Sequence, residues 1–451
     1  MCYVLNMVKT FLVLVGLILT SSCSENNWGE GEDSVSKNVR FSEVMSNNLN
    51  YSTDDIFFEY ADWIELSNTS EKQLDISGYT LSDKRDHIGW KIPVGTIISK
   101  NGYQIFWADG KNNRNHTDFR IKNKGETLFL FDPNGAVVDS ILLKNQIDNV
   151  SYGIDKTGAL GYFQVPTPNR PNNNSVSEVS VSLPIFKEGP QLVKSGYKFS
   201  MFPPKAGLII RYTVDCSEPS LNSPIYEVPI QISKTTIVRA KCFDVNDFPS
   251  PTVTKSFIVQ RKTSLPIMSL VTDPINLWDD YLGIYVEGKN GLAGQIGPVA
   301  NWNRDWERPA NLEFFDGPDT AQINIGTGIK ILGLYISAWP QKPFGIYFRK
   351  SYGKSEANYQ FFEDRQFNKY SHLVIRVADW NDTGIRDGMM TSLVSGTMDI
   401  DYQAYRPVAT YLNGEFWGIY NLREKQNENY LMQNHGVDPK KLDLIEYKIG
   451  E

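Results

Sequence analysis

From Val39 to about Ile154 the chain is written as short runs in which apolar and polar residues alternate. "DWIELSNTS", "KQLDISGYTLSD", "GWKIPVGTIIS", "NGYQIFWAD" and "ETLFLFDPNGAVVDSILL" are separated by Asn, Asp, Gly and Pro. A period of two places successive side chains on opposite faces of a strand, and the polar punctuation leaves no room for helices. A β-sandwich is the expectation for this region. Its strongest hairpin signal is "FLFDPNGAVVDSI", where Asp132 to Gly135 supplies turn chemistry between two apolar strands. Asp62, Glu65 and Asp83 could suggest a cation site, but the alternation assigns them to solvent faces and turns.

A chain of 451 residues is too long for one core and predicts about three domains. The stretch from Phe163 to Pro184 is rich in Pro, Asn and Ser without periodicity and reads as a linker. Strands resume from about Pro184 to Gln260. Beyond Leu265 aromatic content rises, strands lengthen, and helices are expected over Thr383 to Gly396 and Glu424 to Gly436. In the first, Ile385, Met389, Met390 and Leu393 recur at helical spacing; in the second, Gly436 is placed to stop the helix. The expected fold class is multidomain, with two all-β immunoglobulin-like sandwiches followed by an α+β domain. The expected division is 1–22 signal peptide, 23–38 tether, 39–154 first sandwich, 155–183 linker, 184–262 second sandwich and 263–451 α+β domain. With 41% apolar and 22% charged residues the chain has the composition of folded protein. A net charge of -7 with scattered basic residues shows no nucleic-acid footprint, so no nucleic-acid partner is expected.

At the N-terminus Lys9 precedes the apolar run Thr10 to Leu19, which is too short to span a bilayer but fits the apolar region of a secretory signal. Small residues then lead to Cys23. This stretch resembles a bacterial lipobox, with Thr20 where Leu is usual. The resemblance implies cleavage before Cys23, lipidation of that cysteine and anchoring at the outer membrane or cell surface of a Gram-negative-type bacterium. Cys2 leaves with the signal, so Cys216 and Cys242 remain for the folded part. In an oxidising compartment they are candidates either for a disulfide or for two buried free thiols. A disulfide would close a loop of 25 residues, worth around 3 kcal/mol in the chain-entropy model.

Three resemblances follow from quoted residues. "SEVM", "DWIELSNTS", "LDISGYTLSD" and "WKIPVGTIISKNGYQIFWAD", taken in order, resemble a lamin-tail domain, which implies an immunoglobulin-like accessory or adhesion module. Tyr212, Thr213, Asp215 and Pro219, then Thr235, Thr236, Ile237 and Ala240, resemble the Fn3-like module found at the C-terminus of chitobiases and hexosaminidases, with Cys216 where Gly is usual. From Leu265 onward, "LPIMSLVTDP", "WERPANLEFF", "WPQKPFGIYFRKSYG", "LVIRVADWNDTGIRDGMM" and "YRPVATYLNGEFWGIYNLREKQNENYL" resemble the kinase family of spore-coat protein H (CotH).

That last resemblance implies transfer of the ATP γ-phosphoryl group, with Mg or Mn, to Ser residues of secreted or surface proteins. Phosphoryl transfer rests on positioning and charge neutralisation, so it needs a basic residue on the phosphates and carboxylates for metal and acceptor. Lys342 matches the family lysine after "PQ". Glu424, expected at the start of the last helix, matches the family glutamate and is a candidate partner for Lys342; the alternative is a Glu that complements the helix dipole. Arg349, with Lys350, lies at the far end of the strand after Lys342 and is a further phosphate candidate or a solvated strand end. Arg376 and Arg386 are expected in salt bridges with Asp379 and Asp387. Asn413 to Glu415 reads as a hairpin turn whether or not ATP binds.

Two departures weigh against full activity. Ser337 stands where the family has Arg, and the family's metal and acceptor aspartates are expected beyond Glu451, so the kinase domain is expected to be incomplete. No residue is assigned as catalytic or as a metal ligand. The alternative is a non-catalytic surface protein that binds protein or glycan on a degenerate kinase-like platform, and enzyme status stays open between the two. The four His are far apart, which gives zinc no ligand set, and no acid pair on a barrel scaffold points to a glycosidase.

Overall fold

The computed structural model describes residues 38–86, 89–176, 178–259, 264–295, 297–333, 336–377 and 385–445. The expected signal peptide, the lipidation site Cys23, Asp379 and the last six residues lie outside these. Among the described residues no helix is long and apolar enough to cross a membrane.

The alternating runs form two facing sheets. One has the order Leu160–Phe163, Ser151–Ile154, Val39–Met45, Trp63–Asn68, Tyr103–Trp107; the other runs Trp90–Lys91, Thr80–Ser82, Thr127–Phe131, Val137–Leu142. Their inner faces enclose Val39, Phe41, Ile64, Leu66, Leu81, Phe106, Leu128 and Leu130 in one apolar cluster. The Asp132 turn is present: its carboxylate accepts the N–H groups of Asn134 (2.9 Å) and Ala136 (2.8 Å), and Gly135 takes φ 85°. Two expectations need correction. Residues 155–176 are not a free linker, because Leu160–Phe163 extends the first sheet and Asn172 donates to the carbonyls of Ser42 (3.0 Å) and Ile154 (2.8 Å). Nor does Glu65 face solvent. It is 0% exposed and accepts the Asn169 N–H at 2.5 Å, and burial pushes its carboxyl up to about 8. The carboxyl of Asp62 is likewise raised by burial, to about 7.

The middle stretch builds a four-stranded sheet of order Gln191–Val193, Val253–Val259, Thr236–Phe243, Ile209–Thr213, with the first pair parallel. Tyr212 lies opposite Ala240, so the two quoted motifs are neighbours. Cys216 and Cys242 do not form a disulfide; both are buried free thiols. Register explains this. The residue opposite Cys242 is Ile210, and the strand ends at Thr213, three residues before Cys216; Cys242 lies in the apolar cluster of Val238 and Ala240, to which Cys216 does not belong. Cys216 instead turns away with φ 69° and joins Ile237 and Val271. Burial pushes its thiol up to about 12 and that of Cys242 to about 11.

Beyond residue 264 the chain closes a seven-stranded barrel, a predominantly β unit where an α+β domain is expected. In chain order its strands are β1 (Ile267–Val271), β2 (Arg308–Phe315), β3 (Ile323–Ile331), β4 (Phe344–Tyr347), β5 (His372–Val377), β6 (Tyr405–Leu412) and β7 (Glu415–Glu424). Around the barrel the order is β1-β2-β3-β4-β5-β7-β6, and β6 closes on β1 in parallel while the other neighbours run antiparallel. Met268, Leu270, Leu312, Phe314, Ile329, Phe344, Ile346, Leu373, Ile375, Tyr420 and Leu422 fill the interior.

The β6–β7 hairpin turns at Asn413 (φ 50°) and Gly414 (φ 84°), the pair of left-handed residues that a tight two-residue turn demands. Besides the short helix Pro274–Trp278, the described residues of this unit form two longer helices: α1 (Arg386–Val394) and α2 (Glu428–His435). Helix α2 starts later than expected. Asn427 is its N-cap, accepting the Tyr430 N–H at 3.0 Å, and Gly436 ends it in the left-handed conformation as expected. The apolar spacing of Ile385, Met389, Met390 and Leu393 faces outward, with each side chain more than half exposed.

The barrel touches the first sandwich and the middle unit. Glu313, 0% exposed on β2, accepts the Ser256 N–H (3.0 Å) from the middle unit and the Asn324 amide (3.0 Å) from β3, and burial raises its carboxyl to about 7. From the first sandwich, Phe57 and Phe58 present their carbonyls to Trp306 Nε1 (2.6 Å) and Arg308 Nη2 (3.3 Å).

Candidate functional site

Lys342 lies two residues before β4, with its side chain at one end of the barrel interior and only 4% exposed. Its N–H donates to the Tyr285 hydroxyl at 3.0 Å and its carbonyl accepts from Tyr420 Oη at 3.0 Å. The Tyr285 hydroxyl also accepts the Trp417 indole N–H (2.8 Å) and donates to the Pro340 carbonyl (2.8 Å), which fixes both rings beside the lysine. The ammonium donates to the carbonyls of Ser337 (2.5 Å) and Trp339 (2.9 Å), in the turn around the short helical segment Ile336–Ala338. Above it lies Trp302, whose ring centroid is 3.8 Å from Nζ, with Tyr285 at 5.2 Å. Burial pulls the ammonium down to about 8, opposed by the charge of Glu287. The result is a lysine held by two neutral acceptors and an aromatic lid.

Glu424 is not at a helix start. It is the last residue of β7, 3% exposed, and its Oε2 accepts Arg365 Nε (2.9 Å), Arg365 Nη2 (2.7 Å) and the Ala404 N–H (2.9 Å). Its Oε1 accepts from the Asn434 amide of α2 at 3.2 Å. The Arg365 guanidinium lies over the Tyr402 ring and donates to the Tyr402 carbonyl at 2.9 Å; its pKa is raised by the bonds and charge of Glu424, which outweigh desolvation. The expected pairing with Lys342 is therefore absent. Glu424 lies opposite Leu373 on β5, which lies opposite Ile346 on β4. From Ile346, Lys342 is four residues back along the strand, so the two groups differ by about 13 Å along the strand direction and about 10 Å across.

Arg349 lies just past β4, where its guanidinium grips Glu307 with Nε at 2.6 Å and Nη2 at 2.7 Å. This bidentate pair takes the fork that would otherwise meet a phosphate. The structure thus brings together none of the three candidates. Arg376 meets Asp387 at 3.8 Å, as expected, but the closer partner of Asp387 is Arg423, at 2.6 Å, a residue that sequence reasoning did not single out. Arg365, Glu307 and Trp302 were also missed. Arg365 and Glu307 lie in irregular segments, and no local spacing ties them to Glu424 and Arg349. Among the described residues no three His, Cys, Asp or Glu side chains come together to hold a metal ion.

Residues 329–450 match the family model of the CotH kinase protein, residues 32–144 that of the lamin tail domain and residues 205–257 that of the Fn3-associated domain. The first match starts within β3 and includes Lys342, Arg349 and Glu424. A comparison with curated proteins gives no match. Among solved structures, the crystal structure of Drosophila N-cadherin EC1-3 aligns at 11% identity over 64% of this chain and 96% of that one, with a TM-score of 0.13 that carries no statement about fold.

Proposed function

We propose that the chain carries the nucleotide-side part of a CotH-type kinase, exported and lipid-anchored through Cys23. In this reading it uses ATP with Mg or Mn to phosphorylate Ser hydroxyls on secreted or surface proteins at the outer membrane or cell surface. The observation that carries the reading is the CotH match over residues 329–450, which includes the buried Lys342 with its ammonium under an aromatic ring. Bound ATP would supply the phosphoryl group, and Lys342 is the residue to hold its phosphates. The acceptors that now hold its ammonium are neutral carbonyls, and a phosphate oxygen is the stronger partner because it is charged. For that exchange Trp302 or the turn at residues 336–339 has to yield. The described residues offer no metal cage, so no metal-dependent step is assigned to them.

A second reading, a non-catalytic surface protein that binds protein or glycan, is favoured by one observation: Arg349 and Glu424 are both taken up by internal ion pairs. Calorimetric titration of ATP, with MgCl2 and then MnCl2, into the chain and its Lys342→Met variant separates the two. Micromolar binding that weakens at least about tenfold in the variant supports the kinase reading. Equal binding by both proteins removes Lys342 from it, and no binding by either favours the second reading.

A further inference from the structure

Trp302 covers Lys342, and Trp302 lies on a segment gripped from another part of the molecule. It belongs to the single helical turn Asn301–Arg304, closed by Asp305 in the left-handed conformation (φ 57°). Immediately after this turn, Trp306 donates its indole N–H to the Phe57 carbonyl, and Arg308 donates to the Phe58 carbonyl. Arg304, on the turn itself, lies over the Phe58 ring at 5.0 Å, and the Phe58 ring packs against the barrel's own apolar core. One loop of the first sandwich therefore clamps both the turn that carries Trp302 and the residues that follow it.

The loop is built to hold its shape. Asp54, 1% exposed, accepts the N–H groups of Ile56 (2.8 Å), Phe57 and Glu59 (3.0 Å), folding residues 54–59 around one carboxylate. His116, fully buried, packs edge-on against Phe57 with centroids 4.8 Å apart and is oriented by Asp109 at 2.8 Å. Lys111 lies over the Phe57 ring, with Nζ 3.8 Å from its centroid. Phe58 sits at φ 57°, a conformation that bulky side chains seldom adopt and that persists only where the surroundings enforce it.

We infer that the loop Asp54–Glu59 of the lamin-tail region, with Phe58 as its contact, positions Trp302 over Lys342 and so sets whether that lysine is available to a ligand. Phe58, Trp306 and Arg308 are positioning residues that act through Trp302. The consequence for phosphate binding rests on the nucleotide reading above; the coupling between loop and lysine does not.

The test is acetylation of the whole chain by an N-hydroxysuccinimide acetate ester at constant pH, with rates read at each lysine by peptide mass spectrometry. Three proteins are compared: the natural chain, Phe58→Ala and Trp302→Ala. Lys241, buried in the middle unit at 6% exposure, serves as the control for general unfolding. Both variants are expected to speed acetylation of Lys342 at least about tenfold while Lys241 stays slow, since only a local opening is made easier. An increase in Trp302→Ala but not in Phe58→Ala overturns the inference, because the loop then does not govern the cover. So does no increase in either variant, or an equal increase at Lys241 in Phe58→Ala. ATP titration of the same proteins is a separate readout: faster acetylation without ATP binding leaves the coupling in place and removes the nucleotide reading.

Discussion

Replacing Arg365 by Met strands the Glu424 carboxylate at the end of the barrel interior. Two donors at 2.9 and 2.7 Å are lost, and the carboxylate keeps only the Ala404 N–H and the Asn434 amide, both neutral. Removing one partner of a buried ion pair costs about 3–5 kcal/mol, and the two remaining donors put this case near about 3 kcal/mol. Removing the carboxylate as well, in Arg365→Met/Glu424→Leu, eliminates the stranded charge and leaves mainly the Ala404 N–H without its acceptor, about 1–2 kcal/mol below the natural chain. The double variant is thus expected to be more stable than the single one, which is the signature of a coupled pair. A chain of several folded units does not unfold in one step, so the loss is best read locally, as the opening free energy of the β5 amides from Leu373 to Ile375 by hydrogen exchange. A double variant as destabilised as the single one, or a single variant losing less than about 1 kcal/mol, would refute the dependence of Glu424 on Arg365.

Two further outcomes are expected. Burial raises the Glu65 carboxyl from 4.5 to about 8, so the folded sandwich holds a proton that the unfolded chain has released between those values. Its contribution to stability is present in full below the unfolded value and is lost as pH rises towards about 8; thermal midpoints measured across this window should fall less steeply in Glu65→Gln, and an unchanged slope counts against the assignment. Cys216 and Cys242 should resist iodoacetamide in the folded chain and both react after denaturation without reductant, whereas a bridge surviving denaturation would show the register of the middle sheet to be wrong.

What could be read from the sequence was whatever is encoded locally. The alternating runs became the facing sheets, Asp132 and Asn413 turned hairpins, and Gly436 ended a helix, because each of these depends on residues a few positions apart. The charged groups were harder. Lys342 and Glu424 rest on resemblance and Arg349 on its place at the far end of the same strand, but the ion-pair partners depend on long-range closure: the pair of Glu424 spans 59 positions and that of Arg349 spans 42. Glu65 misled because alternation specifies a face and not what covers it; the covering segment, around Asn169, arrives from 104 residues further on. The strands from Tyr405 to Glu424 gave no sign that they belong to a barrel, since closure is a property of register around the ring.

The parallel contact between β1 and β6 has a kinetic side. Ile267 pairs with Ala409, about 140 residues later, so this edge closes only across a long stretch of chain. During synthesis the first sandwich and the middle unit can form from sequence already available, while β1 keeps one edge open until the penultimate strand emerges. Until then that edge offers unpaired backbone to any passing strand, which makes closure of the barrel the slow and aggregation-exposed step in the birth of this molecule.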